Sequence, residues 1–364
     1  MKGVVMNHME RRSFLRSAGM VSAGCFFASS HIVTAADEND TNITAYPDIP
    51  RIDVHTHVPG DAEAIGNYLG MRDILKEKHG ADLAMWFSLG GSRSRNPDCE
   101  AVLETSRGRI LSCISEYSPH DGLSHPPEEL KGWLDKGYIG YKIWAGPPHR
   151  RMKPGQEGYP YIDNPVHIPT FEMMEDIGMV CASMHIADPN GPWDHRTEWL
   201  PDPVEYWHQI NAFRNLLVRH PKLVVVAAHA MWAICQDAQI DYLRYMLAKF
   251  PSLNIDLAAT FQYYHLVTRD NLRSFMIEYQ DRILFGTDAG RWTAENNESY
   301  ARRYFQCFRI LETDAVVPGG FFDQVETEGL DLPWEVLEKI YWRNAARIYP
   351  RVEEQLAKLG YDVG

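Results

Sequence analysis

The sequence contains no uninterrupted run of the roughly 18 apolar residues that a permanent membrane helix needs, so it predicts no membrane span. None of its six cysteines forms a C-x-x-C pair, and no short spacing reads as a zinc knuckle or a disulfide framework. Long Lys/Arg runs are missing too, and the formal net charge is −13. Such a surface repels phosphate backbones, which excludes nucleic acid as a partner. No Gly-rich dinucleotide turn follows the first apolar run, which argues against an open doubly wound sheet. What is present, 45% hydrophobic and 23% charged residues in a chain of 364, is the make-up of a globular protein with a sizeable core.

The first 36 residues read as a leader. Glu10-Arg11-Arg12-Ser13-Phe14-Leu15-Arg16 resembles a twin-arginine export signal. A weakly apolar stretch, Ala18 to Ser29, and a small-residue cleavage site at Val33-Thr34-Ala35-Ala36 follow it. The expectation is a cleaved signal over 1–36 and a periplasmic or other extracytoplasmic location, with 37–50 as a linker. Without Cys25 an odd number of cysteines remains, and Cys113 and Cys181 lie in apolar runs where a buried thiol is expected.

From residue 51 short apolar runs alternate with amphipathic segments. Strands are expected at 51–57, 82–89, 109–116, 138–144, 179–185, 222–229, 253–259 and 283–287. Helices are expected near 61–78, 97–106, 126–136, 168–177, 203–219, 236–249, 268–280 and 294–311. Parallel strands need crossover connections, and eight β-then-α units predict a single (β/α)8 TIM barrel over 51–350. Connections 145–167 and 186–202 are long and follow strands, so they belong to the catalytic face. Segment 312–332 reads as a third long connection, 333–349 as a last amphipathic helix, and 351–364 as a C-terminal tail.

The strand ends carry the chemistry. In Arg51-Ile52-Asp53-Val54-His55-Thr56-His57 the two histidines share one strand face, because side chains alternate with period two. His185 ends strand five, His229 strand six, and Asp288 follows strand eight in Gly286-Thr287-Asp288. One such histidine alone is usually a hydrogen-bonded structural residue. Five N/O donors at one end of one barrel point instead to a catalytic metal site.

These residues, with Arg343-Asn344-Ala345-Ala346-Arg347-Ile348-Tyr349 near the end, resemble the metal-dependent amidohydrolase superfamily, in its branch of lactonases, hydrolases and decarboxylases. The resemblance spans roughly residues 50–350. It implies that His55, His57, His185 and Asp288 bind one divalent metal ion and that His229 touches the attacking water or the substrate. Three histidines and a carboxylate suit Zn²⁺ first, with Mn²⁺, Fe²⁺ and Co²⁺ as alternatives. Some superfamily members bridge two metals through a carbamylated strand-four lysine; Lys142 occupies that strand here, as a second-metal or substrate residue. Two departures stand out: Ala230-Met231-Trp232 follows His229 where the branch commonly has Gly, and Gly290-Arg291 follow Asp288 where Pro is common.

The expected chemistry is hydrolysis of a lactone, ester or amide bond in a small organic substrate by metal-activated water, with His229 and Asp288 moving protons. Decarboxylation of an aromatic or unsaturated acid is the alternative, and a non-catalytic metal- or sugar-binding barrel the remoter one. Arg93, Arg95, His149, Arg150, Arg151 and Arg291 follow strand ends and could bind an anionic group. Trp144, Trp193, Trp199, Trp232 and Trp292 could line a ring-binding pocket. A homodimer is the base-rate expectation for assembly.

Overall fold

A computed structural model describes residues 43–90, 96–115, 125–144, 161–188, 203–322 and 325–364. The segment 1–36 expected to be an export signal, Arg93, Arg95, His149, Arg150, Arg151, Trp193 and Trp199 lie outside these residues.

Eight parallel strands alternate with eight helices in a (β/α)8 barrel. The strands are β1 (Arg51–Thr56), β2 (Leu83–Ser88), β3 (Ile110–Ser112, resumed at Ile114–Ser115), β4 (Tyr141–Ile143), β5 (Cys181–Met184), β6 (Val225–Ala227), β7 (Leu253–Asp256) and β8 (Ile283–Leu284). Every residue of these strands is buried, as expected for strands covered on both faces. The circuit closes through the backbone: Val54 N donates to Phe285 O (3.0 Å), Asp288 N to His55 O (2.8 Å) and His57 N to Ala289 O (2.7 Å).

The helices are α1 (Ala62–His79), α2 (Cys99–Thr105), α3 (Leu130–Asp135), α4 (Ile168–Ile177), α5 (Pro203–Arg219), α6 (Asp237–Lys249), α7 (Arg269–Glu278) and α8 (Asn297–Glu312). Their limits follow local chemistry. Asp61 caps α1 by accepting from Ala64 N, and Gly80 ends it at φ 64°, in the left-handed region where glycine carries no Cβ penalty.

The floor of the barrel, at the N-terminal ends of the strands, is closed by a buried ion pair. The Arg51 guanidinium donates to Glu312 Oε1 at 2.7 Å, Tyr341 OH donates to the same oxygen at 2.9 Å, and the guanidinium lies over the rings of Phe308 and Tyr341. Cys99, Cys113, Cys181, Cys235 and Cys307 are free and buried, and burial pushes the thiol pKa of Cys113 and Cys235 far up.

Three segments differ from the expectation. The connection 312–332 contains an antiparallel hairpin, β9 (Val316–Pro318) with β10 (Glu326–Glu328), whose short strands leave Val317 and Thr327 inward and their neighbours exposed. The final helix runs as α9 (Trp334–Glu338), a wider π-helical turn (Lys339–Arg343) and α10 (Asn344–Ile348). The tail carries α11 (Val352–Lys358), which buries Val352 and Leu356.

Candidate metal centre

Strands six and eight stop earlier than their apolar runs do, and their last residues turn. β6 ends at Ala227, and His229, Ala230, Met231 and Trp232 follow with φ of 56°, 48°, 56° and 55°. Asp288 has φ 66°. Non-glycine residues in this region each cost about 1–2 kcal/mol, so such a run persists only where its surroundings hold it. The holds are visible. Asp256 Oδ1 accepts from His229 N (2.9 Å), Tyr206 OH on α5 donates to Met231 O (3.0 Å), and Ala258 O lies 2.8 Å from His229 Nδ1.

Gly286 is required by close approach: a Cβ there would sit 3.0 Å from the His55 Cβ and 3.2 Å from that of Ala258. β8 can therefore lie beside β1 with Asp288 over the histidines. His57 Nε2 is 3.1 Å and His55 Nε2 3.4 Å from Asp288 Oδ1. Below them Asp53 accepts from His55 N, from Thr287 N and Oγ1, and from Tyr304 OH.

Among the described residues two triads bring one donor atom from each member within 4.8 Å of the others: His55, His57 and Asp288, and His55, His229 and Asp256. His55 is common to both. Its Nδ1 is 2.9 Å from Asp256 Oδ2, whereas its buried Nε2 has no hydrogen-bond partner. A buried ring nitrogen without a partner, facing a carboxylate and a second imidazole, is what a divalent ion would satisfy. The donor set therefore fits a metal.

Burial, with the Lys142 charge, lowers the His55 pKa well below the usual histidine range, and burial with neighbouring histidines does the same for His229. Both rings are neutral at pH 7, the state that ligates metal or accepts a proton. Burial works to raise the Asp288 pKa, but the His57 hydrogen bond and the nearby imidazoles hold it far below the usual carboxylate range.

His185 adjoins this cluster without entering either triad. Its ring centroid is 4.8 Å from that of His229, and its Nε2 is 3.1 Å from Asp188 Oδ1. Trp144 stacks on both His57 (5.6 Å) and His185 (5.7 Å), and Trp232 stacks on His229 (4.4 Å). Lys142 is fully buried in the barrel, where its Nζ donates to Ser183 Oγ (2.9 Å) and lies over the Trp144 ring.

The other expected substrate contacts have partners of their own. Arg291 pairs with Asp61, the cap of α1. Trp292 stacks on Tyr300 and donates its Nε1–H to Asn297 Oδ1, which packs the start of α8.

Asp256, Asp188 and Asp53 are absent from the sequence-based candidates. For Asp256 the signal existed: it ends strand seven as His229 follows strand six, in Leu253-Asn254-Ile255-Asp256. Asp53 carries a weaker signal, since it alternates with His55 on β1 and so shares its face.

Comparison with known proteins bears on the family and the fold. The family model described as amidohydrolase matches residues 125–351, a stretch that includes His185, His229 and Asp288 but begins after His55 and His57. A search of curated proteins finds no match. Among solved structures, the chain is similar to an uncharacterized TIM-barrel protein from Bordetella bronchiseptica, at TM-score 0.51 and 15% identity, covering 85% of this chain and 99% of that one. It is also similar to a dihydroorotase from Campylobacter jejuni (TM-score 0.47, 13% identity, 82% of each chain). A third is 5-carboxyvanillate decarboxylase from Sphingomonas paucimobilis (TM-score 0.45, 14% identity, 77% of this chain and 81% of that one). At these identities the likeness is one of fold.

Proposed function

Since the chain belongs to the amidohydrolase family, we propose that it is a metal-dependent hydrolase acting on a lactone, ester or amide bond of a small organic substrate. The observation that carries this reading is the His55, His57 and Asp288 triad with its unpartnered His55 Nε2. His55, His57, His185 and Asp288 would hold one divalent ion, Zn²⁺ first by ligand type. When bound, such an ion supplies Lewis acidity and lowers the pKa of a water toward ~7.

The rest is done by the chain. His229 Nδ1 is engaged by the Ala258 carbonyl, so that nitrogen carries the proton and Nε2 is left basic. A neutral imidazole fixed in this way can take a proton from an attacking water and return it to the leaving group. Asp288, kept anionic by the imidazoles around it, has two carboxylate oxygens, so it can serve the metal with one and orient a proton with the other. His185 needs an accessible ring nitrogen for its part, and Asp188 holds the other one. Trp144 and Trp232 line the histidines with aromatic surface, which supports a ring-bearing or planar substrate.

The test uses metal-reconstituted protein with lactone, ester, amide and carboxylic acid panels in ¹⁸O-water. A hydrolase yields product carrying ¹⁸O, and Asp288→Asn abolishes it. Release of CO₂ without ¹⁸O incorporation assigns the reaction to a decarboxylase instead. Inertness of both proteins towards every panel assigns the barrel to binding.

A further inference from the structure

We infer that Asp256 is a positioning residue that fixes His55 as its Nδ1–H tautomer, keeping the Nε2 lone pair on the side of His57 and Asp288, while the same carboxylate pins the left-handed turn that presents His229. This rests on the metal-centre reading above. It concerns a residue outside the His55, His57, His185 and Asp288 set that would hold the ion.

The geometry divides the carboxylate into two halves. Oδ1 accepts from two backbone N–H groups, His229 N (2.9 Å) and Ala258 N (3.1 Å), which have no other tautomer to offer. Oδ2 is left for His55 Nδ1 at 2.9 Å. An ionised carboxylate has no proton to give, so the imidazole must donate from Nδ1, and the neutral ring then bears its lone pair on Nε2. The two backbone N–H groups on Oδ1 favour the ionised form of the carboxylate. His55 and Asp256 are both fully buried, so water offers no substitute partner.

The two functions of the carboxylate can be separated by one atom. In Asp256→Asn the amide oxygen can keep both backbone hydrogen bonds, but the amide NH₂ then faces His55 Nδ1. Nδ1 must accept, the proton moves to Nε2, and the lone pair that faces Asp288 is lost. Outer partners of metal-bound histidines typically set affinity by roughly 10- to 100-fold, so a loss of that size is expected with the fold intact.

The experiment is ¹⁵N-histidine NMR on the metal-free full chain, where protonated and bare ring nitrogens separate widely, with His55 identified by the signals lost in His55→Asn. Wild type is expected to show Nδ1–H, and Asp256→Asn to show Nε2–H with Zn²⁺ or Mn²⁺ binding weakened at least 10-fold by calorimetry. A wild-type His55 protonated at Nε2 overturns the inference without recourse to any variant, as does an Asp256→Asn protein that binds metal like wild type. Wild type that shows Nδ1–H but binds no divalent metal instead removes the metal-centre reading.

Discussion

Thr287 and Asp53 are 234 positions apart in sequence, yet two hydrogen bonds from Thr287, one from its backbone N–H and one from its hydroxyl, end on the Asp53 carboxylate. Tyr304 OH on α8 adds a third at 2.7 Å. Burial pushes the Asp53 pKa up to about 7 against these bonds. The first strand of the barrel, its last strand and its last helix are thus tied directly beneath His55 and Asp288.

Thr287→Val removes one of those donors without much change of shape. A buried hydrogen bond contributes about 0.5–1.5 kcal/mol and about 1.5–3 kcal/mol when its acceptor is charged, so denaturant unfolding should show a loss of about 1–3 kcal/mol, larger above pH 7 where Asp53 is ionised. Metal affinity should fall as well, because Asp288 follows Thr287. Tyr304→Phe should act on the same carboxylate, so the double variant should lose less than the two single losses added. Simple addition of the losses would mean that the two hydroxyls do not share a site.

Asp82 offers a test by pH. Burial works to raise its pKa, but Arg72 at 2.6 Å, Tyr361 OH and Lys76 outweigh it and leave the carboxyl below its ordinary 3.8. A carboxylate depressed in the folded state stabilises the protein above its unfolded pKa, and that contribution is lost as pH falls through the folded value. Asp82→Asn should therefore cost on the order of 1–3 kcal/mol at pH 7, with the gap to wild type narrowing below pH 3.8. Urea titrations at pH 7, 5 and 3 measure it. A gap that is constant with pH would assign the loss to packing.

Ala230→Gly should behave unlike a glycine placed in a helix, which costs about 1 kcal/mol. At φ 48° the change relieves about 1–2 kcal/mol of left-handed strain. It gives up about 0.8 kcal/mol for a buried methyl group, so stability should be unchanged or slightly higher. Turnover should fall, because His229 is then held less firmly. A clear destabilisation would show that the turn is not strained.

Protein purified without chelator should contain close to one divalent ion per chain by elemental analysis. Chelation should lower the unfolding midpoint, since a ligand at 100 times its Kd stabilises the folded state by about 2.7 kcal/mol. Asp288→Asn should abolish both effects. An apo-like midpoint in untreated wild type, with no metal bound, would contradict the proposed centre.

The barrel was legible because each unit announces itself: an apolar run, then a helical stretch, eight times over. α4 and α5 fall at the expected 168–177 and 203–219, and in the structure Gly178 closes α4 in the left-handed region. The gathering of His55, His57, His229 and Asp288 was legible for a topological reason: a parallel barrel brings the ends of all its strands to one mouth. Asp256 escaped attention because an acidic residue that ends a strand looks like a turn former until its two neighbours, His55 and His229, are seen on either side of it. The hairpin of β9 and β10 was hidden by brevity: three residues per strand give too little alternation to read. The left-handed run at 229–232 was hidden because no glycine marks it; the hydrogen bonds that hold it come from Tyr206, Asp256 and Ala258, far away in sequence.

The five free cysteines of the described chain are all sealed from solvent, four of them with no measurable exposure. No sulfur–sulfur bond fastens the described residues together, and the thiols of Cys113, Cys181, Cys235 and Cys307 offer solvent no surface through which an oxidant could act. The fold of the described residues is therefore held by packing, hydrogen bonds and ion pairs, with no covalent cross-link between its strands and helices.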